Sequence, residues 1–290
     1  MRDPYLYEDV PVLINKLNIK DAAKLEAAEA DLTFAQFLNI DELNKSQPLD
    51  FDYIKSLHQH IFGDIYPFAG QTRTIQIYKA EMVLGGDTIR YSHPDEIEGH
   101  AEKIISRMNG INWRSLSLED RSMEFTQNIA DLWQVHPFRE GNTRTSMTFA
   151  SHFADRNGFP LDKQLFRENA TFVRNALVKA SDGMYAEYQY LDKIMKDSME
   201  LGEEAYIMDK IKAAGFRPTK TLVQGMKNIN QAFQKLHSVK DLKDYFKNVN
   251  SLDKDKGDLV RSVAQDFADQ ELQNKKVKSI YRSENITPEP

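Results

Sequence analysis

Ten residues, His136-Pro137-Phe138-Arg139-Glu140-Gly141-Asn142-Thr143-Arg144-Thr145, put an imidazole, a carboxylate and a guanidinium next to two turn-forming residues. His136 is the only nearby side chain that titrates close to neutral pH, which makes it the natural general base. Glu140 can hold a Mg²⁺ that bridges phosphates. Arg144 presents a planar fork that suits phosphate oxygens. Gly141 and Asn142 tolerate the positive φ of a tight turn. Their N–H groups then point into one concavity at a helix start, where free donors and the helix dipole favour an anion. A metal held by His136 and Glu140 alone is the weaker reading, because two protein ligands are too few for a tight catalytic site.

Something must hold this loop. An apolar run, Ile129 to Val135, precedes it, and another, Met147 to Phe153, follows. The pattern reads as helix, loop, helix. His136-Pro137 stops the first helix, since the residue before proline is pushed out of the α region. Phe138 is expected to plug the core and fix the loop, a structural role.

With these residues in view, the chain resembles the Fic (Fic/Doc) family, whose signature is H-x-F-x-[D/E]-G-N-G-R-x-x-R. A second block, Ile61-Phe62-Gly63-Asp64-Ile65-Tyr66-Pro67-Phe68-Ala69-Gly70-Gln71-Thr72-Arg73-Thr74, is similar to that family's other recognisable stretch. The resemblance runs from about Leu49 to Lys196. It implies a mainly α fold: a Fic-type helical bundle with a small β-hairpin flap. It also implies a protein adenylyltransferase, which moves AMP from ATP and Mg²⁺ onto a Ser, Thr or Tyr hydroxyl of a target protein. In that scheme His136 is the base, Glu140 holds the metal, Gly141, Asn142 and Thr143 bind phosphate through the loop, and Arg144 binds the β-phosphate. The flap residues Ile75, Gln76, Ile77 and Tyr78 dock the target by backbone pairing.

Two positions depart from the signature. Thr143 stands where the family usually has glycine, and Met147 stands where its last arginine steadies the γ-phosphate. These leave two alternatives: a transferase using another nucleotide or phosphoryl donor, as in the Doc branch, and a degenerate module that binds nucleotide or a partner without turnover. The family's inhibitory [S/T]-x-x-x-E-[G/N] motif is absent, since glutamate precedes Gly or Asn only at Glu98, Glu140, Glu168 and Glu284, with Pro94, His136, Gln164 and Ile280 four residues before. Any restraint is therefore expected from a separate antitoxin-like chain or from weak intrinsic activity.

Composition narrows the classes. A formal charge of −6 gives no pull toward nucleic acid or anionic membrane, so neither is an expected partner. Cysteine is absent, which removes disulfides, thiolate metal sites and cysteine nucleophiles. No apolar run approaches a transmembrane length. Residues Met1 to Tyr5 show no apolar leader, so the expected location is bacterial cytoplasm, with export by another route left open.

In chain order, residues 1–48 form an N-terminal helical segment, with Ile19 to Leu38 periodic and Asp21 a plausible cap. Residues 49–196 form the catalytic domain. It begins with a helix carrying Phe51, Ile54, Leu57, His58, Ile61 and Phe62 at three- and four-residue spacing. His58 and His60 do not share a helix face, so they read as packing rather than as metal ligands. Thr72 to Tyr78 and Thr88 to Tyr91 alternate like strands around a turn at Gly85-Gly86-Asp87. Helices are expected over 94–111, Leu118 to Val135, Asn142 to Arg156 and Phe166 to Met195. Residues 197–274 form a helical extension of unknown role, split near Gly215 to Pro218, with a last helix at Leu259 to Leu272. Lys275 to Pro290 reads as a disordered tail.

Overall fold

The computed structural model describes residues 3–43, 46–213 and 216–233. The expected helix at Leu259 to Leu272 and the tail from Lys275 lie outside the described residues. The chain divides into one unit ending at Met199 and a second beginning at Glu200.

The first unit is helical because its sequence starts helices well and gives each one an apolar face. Helix α1 (Ala22–Phe37) begins at Asp21, whose carboxylate accepts from Lys24 N at 2.9 Å. Helix α2 (Phe51–Phe62) begins at Asp50, which accepts from Tyr53 N at 2.8 Å. Such caps contribute about 1 kcal/mol each. Helix α3 (Ile97–Asn109) buries Ile97, Ala101, Ile105 and Met108. Helix α4 (Leu118–Val135) starts at Ser117, which accepts from Asp120 N at 3.1 Å. Glu119 and Asp120 then place negative charge at the positive end of its dipole. Helix α5 (Asn142–Asn157) follows the loop. It packs on α2 and α4, and α4 packs on α3.

The core between α4 and α5, at the end of these helices away from the loop, is aromatic. Trp113 sits within 5.7 Å of Phe125, 5.8 Å of Phe153 and 5.4 Å of Phe159, measured between ring centroids. Burial at this scale fixes where α4 and α5 lie, and therefore where the loop between them is held.

Two expectations need correction. The stretch from Phe166 to Met195 is not one helix. It is α6 (Lys163–Glu168), α7 (Ala170–Ala180) and the start of α8 (Gln189–Ala213). A turn through Gly183, at φ 55, breaks it, and Glu187 N closes that turn on Lys179 O at 2.9 Å. Phe172 and Tyr185 are consequently exposed, whereas Leu177, Leu191 and Ile194 are buried.

The hairpin flap is also not paired as strands. Among the described residues the only β pairing is a bridge between Leu6 and Leu13. Residues 72–92 carry no regular element besides a short turn at Met82–Leu84. Side chains occupy the carbonyls that a ladder would use. Arg73 Nη1 donates to Ile75 O at 2.8 Å, Arg73 Nη2 donates to Ser92 O, and Gln76 Nε2 donates to Tyr91 O at 3.2 Å.

In the second unit, the end of α8 and helix α9 (Lys220–Phe233) follow the expected helical extension. Leu222, Val223 and Met226 are buried, and Lys227 Nζ meets Glu204 Oε2 at 2.6 Å. No helix among the described residues is long and apolar enough to cross a membrane.

Candidate active site

His136 caps the C-terminus of α4 in the left-handed region, at φ 51 and ψ 58, and its N–H donates to Trp133 O at 3.0 Å. A histidine there is strained, and only surrounding contacts keep it so. Arg73 supplies them. Its Nε donates to His136 O and its backbone N–H to Pro137 O, each at 2.8 Å. The imidazole stacks on Tyr91 at 3.9 Å and meets the edge of Trp133 at 5.2 Å. It is only 3% exposed, and among the described residues neither ring nitrogen has a hydrogen-bond partner. Burial, with the charges of Lys79, Arg73 and Arg174, holds its pKa well below the usual value. The ring is therefore neutral at pH 7, with a basic nitrogen that no protein group uses.

The loop is fixed from several sides. Phe138 is fully buried and stacks on His58 at 3.8 Å. Asn142 clasps the Phe138 backbone twice: its Oδ1 accepts from Phe138 N at 2.8 Å and its Nδ2 donates to Phe138 O at 2.7 Å. The Asn142 amide thus serves the loop, and its backbone N–H belongs to the first turn of α5. Gly141 sits at φ 80, and a Cβ there would lie 2.3 Å from the Phe62 ring, so only glycine fits. His58 accepts from Gly70 N at 2.8 Å through Nδ1 and meets Glu140 O at 3.0 Å through Nε2. The first bond places the proton on Nε2, which then donates to the Glu140 carbonyl.

A pocket of about 190 Å³ opens over these residues, lined by Lys79, Trp133, His136, Glu140, Gly141, Asn142, Thr143, Arg144 and Arg174. Its lining carries three cations, Lys79, Arg144 and Arg174, which suits an anion. Burial pushes the Glu140 carboxyl up, but Lys79, the Gly141 N–H and Arg144 outweigh it and hold the group ionised. Arg144 lies 4.6 Å over the Phe62 ring and pairs with Glu29 of α1, with Thr33 Oγ1 at 3.3 Å. Tyr66 donates to the other Glu29 oxygen. Thr143 Oγ1 accepts from Trp133 Nε1 at 3.0 Å, so the threonine that departs from the signature anchors the wall beside His136.

Glu140 is, among the described residues, the only carboxylate lining this pocket. Among the described residues no three His, Cys, Asp or Glu side chains come together as a metal cluster. One carboxylate beside a cation-lined pocket would fit a metal that brought most of its ligands as phosphate oxygens and water, which is the habit of Mg²⁺.

The structure therefore gathers His136, Glu140, Gly141, Asn142, Thr143 and Arg144 at one pocket. The flap residues Ile75, Gln76, Ile77 and Tyr78 do not line it; Gln76 and Tyr78 line a separate groove with Arg90 and His100. Sequence reasoning missed Glu29, Lys79, Arg174 and the role of Arg73. Arg73 lay inside the second block, so a buried cation there was open to notice. Glu29 and Arg174 are far from the loop in sequence, and no local pattern marks them.

The Fic/DOC family profile matches residues 48–154. The protein adenylyltransferase VbhT of Bartonella schoenbuchensis is 32% identical over 161 residues, covering 55% of this chain and 32% of its own length. The chain thus spans about a third of that relative. The probable protein adenylyltransferase y4lH of Sinorhizobium fredii is 30% identical over 168 residues, 56% of this chain and 81% of its own. Among solved structures, the N-terminal Fic domain of a putative cell filamentation protein of Bartonella quintana, described as a VirB-translocated effector with bound ADP, aligns with a TM-score of 0.56. That alignment has 22% identity and covers 67% of this chain and 93% of that one. A loop of this geometry on this helical scaffold, together with these matches, places the chain in the Fic/DOC family.

Proposed function

We propose that this chain is a protein adenylyltransferase that moves AMP from ATP to a Ser, Thr or Tyr hydroxyl of a target protein. The observation that carries the reading is His136: buried, neutral and, among the described residues, without a partner for either nitrogen, at the edge of a pocket rich in cations. A buried polar group left unpaired costs about 1–3 kcal/mol, a cost that makes sense when a substrate hydroxyl completes it.

In the proposed reaction the hydroxyl oxygen attacks the α-phosphorus while His136 takes its proton. A new O–P bond forms, the bond from the α-phosphorus to the bridging oxygen breaks, and pyrophosphate leaves. The N–H groups at the start of α5 hold the α-phosphate, and Arg144 takes up charge on the leaving group. Mg²⁺, when bound, neutralises phosphate charge, with Glu140 as its protein ligand. Most of the acceleration comes from positioning and charge stabilisation. The segment Ile75–Tyr78 guides the target toward His136. Restraint falls to a separate antitoxin-like chain, and the expected place of action is a bacterial cytoplasm or a cell into which the protein is delivered.

The test is the position of the label. Wild-type protein is incubated with Mg²⁺, a bacterial lysate and ATP labelled at either the α- or the γ-phosphate. Protein bands labelled from the α-position alone are expected. Bands labelled from the γ-position alone would overturn adenylyl transfer in favour of phosphoryl transfer, the alternative that Thr143 and Met147 keep open.

A further inference from the structure

Met147, where the signature has its last arginine, packs against the core and does not line the pocket. Two cations outside the signature do line it: Lys79, in the stretch 72–92, and Arg174 of α7. We propose that Lys79 and Arg174 form the β,γ-phosphate end of the donor site, with Arg174 supplying the charge that Met147 lacks. This rests on the nucleotide-donor reading above.

Arg174 is built to present a fixed fork. Its Nη1 donates to Glu81 Oε2 at 2.7 Å and its Nη2 to Glu81 Oε1 at 2.9 Å. Glu81 is 2% exposed and also accepts from Tyr91 OH at 3.4 Å, so the carboxylate cannot follow a ligand. That clasp uses two of the five guanidinium donors and leaves three. The Arg174 side chain remains 40% exposed and lines the pocket. A fork held in place loses little freedom on binding.

Lys79 complements it differently. Its Nζ lies 3.5 Å from Glu140 Oε2, longer than a strong charge-assisted bond, and the side chain is 28% exposed. A loosely held ammonium can follow an incoming anion. Arg144 is the more encumbered cation, tied to Glu29 and Thr33 and laid on Phe62. The pocket thus has cations from three separate elements, and a chain of phosphates meets all three where a single phosphate does not.

The test is nucleotide binding, which needs no target protein. Wild type, K79M and the double variant E81Q/R174Q are titrated calorimetrically with ATP, ADP and AMP in the presence of Mg²⁺. The double variant removes the buried carboxylate charge together with its partner, which guards the fold. R174K, which keeps the charge but loses the fork, is the second check. The expected result is that ATP and ADP bind on the order of tenfold more weakly to K79M and to E81Q/R174Q while AMP affinity stays unchanged. R174K should fall between, and M147R placed in the E81Q/R174Q background should recover part of the ATP affinity. Equal weakening of ATP and AMP, or undiminished ATP binding, would overturn the assignment. Wild type that binds none of the three would instead overturn the donor reading and this assignment with it.

Discussion

Two buried imidazoles meet the same loop and differ in one respect. His58 comes from α2 and stacks on Phe138 at 3.8 Å; His136 opens the loop and stacks on Tyr91 at 3.9 Å. Burial lowers the pKa of both. Yet His58 has both nitrogens engaged, with Gly70 N–H and Glu140 O, while His136, among the described residues, has neither. Burial and ring stacking are what a core asks of a histidine, and both satisfy that. Only the empty hydrogen-bonding sites separate a scaffold residue from one that awaits a substrate.

The comparison can be broken through stability. H58A should cost about 3 kcal/mol, because it leaves Gly70 N–H and the Glu140 carbonyl without their partner and opens a gap beside Phe138. H136A should cost about 1 kcal/mol or less, since relief of an unpaired buried group offsets lost packing. Denaturant melts of the two variants check this, and equal losses would erase the distinction.

Acid sharpens it next. The His58 pKa is lowered from 6.5 to about 4. Between those values the unfolded chain binds a proton that the folded chain does not. Stability is therefore full above pH 6.5 and falls as the pH drops toward 4, by roughly 3 kcal/mol from this group at the low end. Urea midpoints across that range should decline in wild type and decline less in H58A. A smaller effect than that of H58A is expected at the wall beside His136. T143V keeps the shape but leaves Trp133 Nε1 without its acceptor, a loss of about 1–2 kcal/mol by the same melts.

Much of this site was legible because its determinants are local. The loop residues sit within ten positions, and the helices on either side announce themselves by apolar spacing and by caps such as Asp21. What stayed hidden depends on long-range packing. Glu29 reaches Arg144 and Arg174 reaches Glu81 only once α1 and α7 have docked. His58 was read correctly as packing, but its grip on Glu140 O needs the fold to bring together residues far apart in the chain. The flap misled because alternation reports which faces are buried, as Ile77 and Ile89 are, and says nothing of whether the backbone carbonyls remain free to pair.

The most direct test of the account is transfer of α-label from ATP by wild type, H136A and H58A, each scaled to its folded fraction. The account predicts a 10²–10⁴-fold loss in H136A at a near-native melting temperature, the range typical of a missing general base. It predicts a much smaller loss per folded molecule in H58A. Undiminished labelling by H136A would contradict the central claim that the unpartnered His136 is the base.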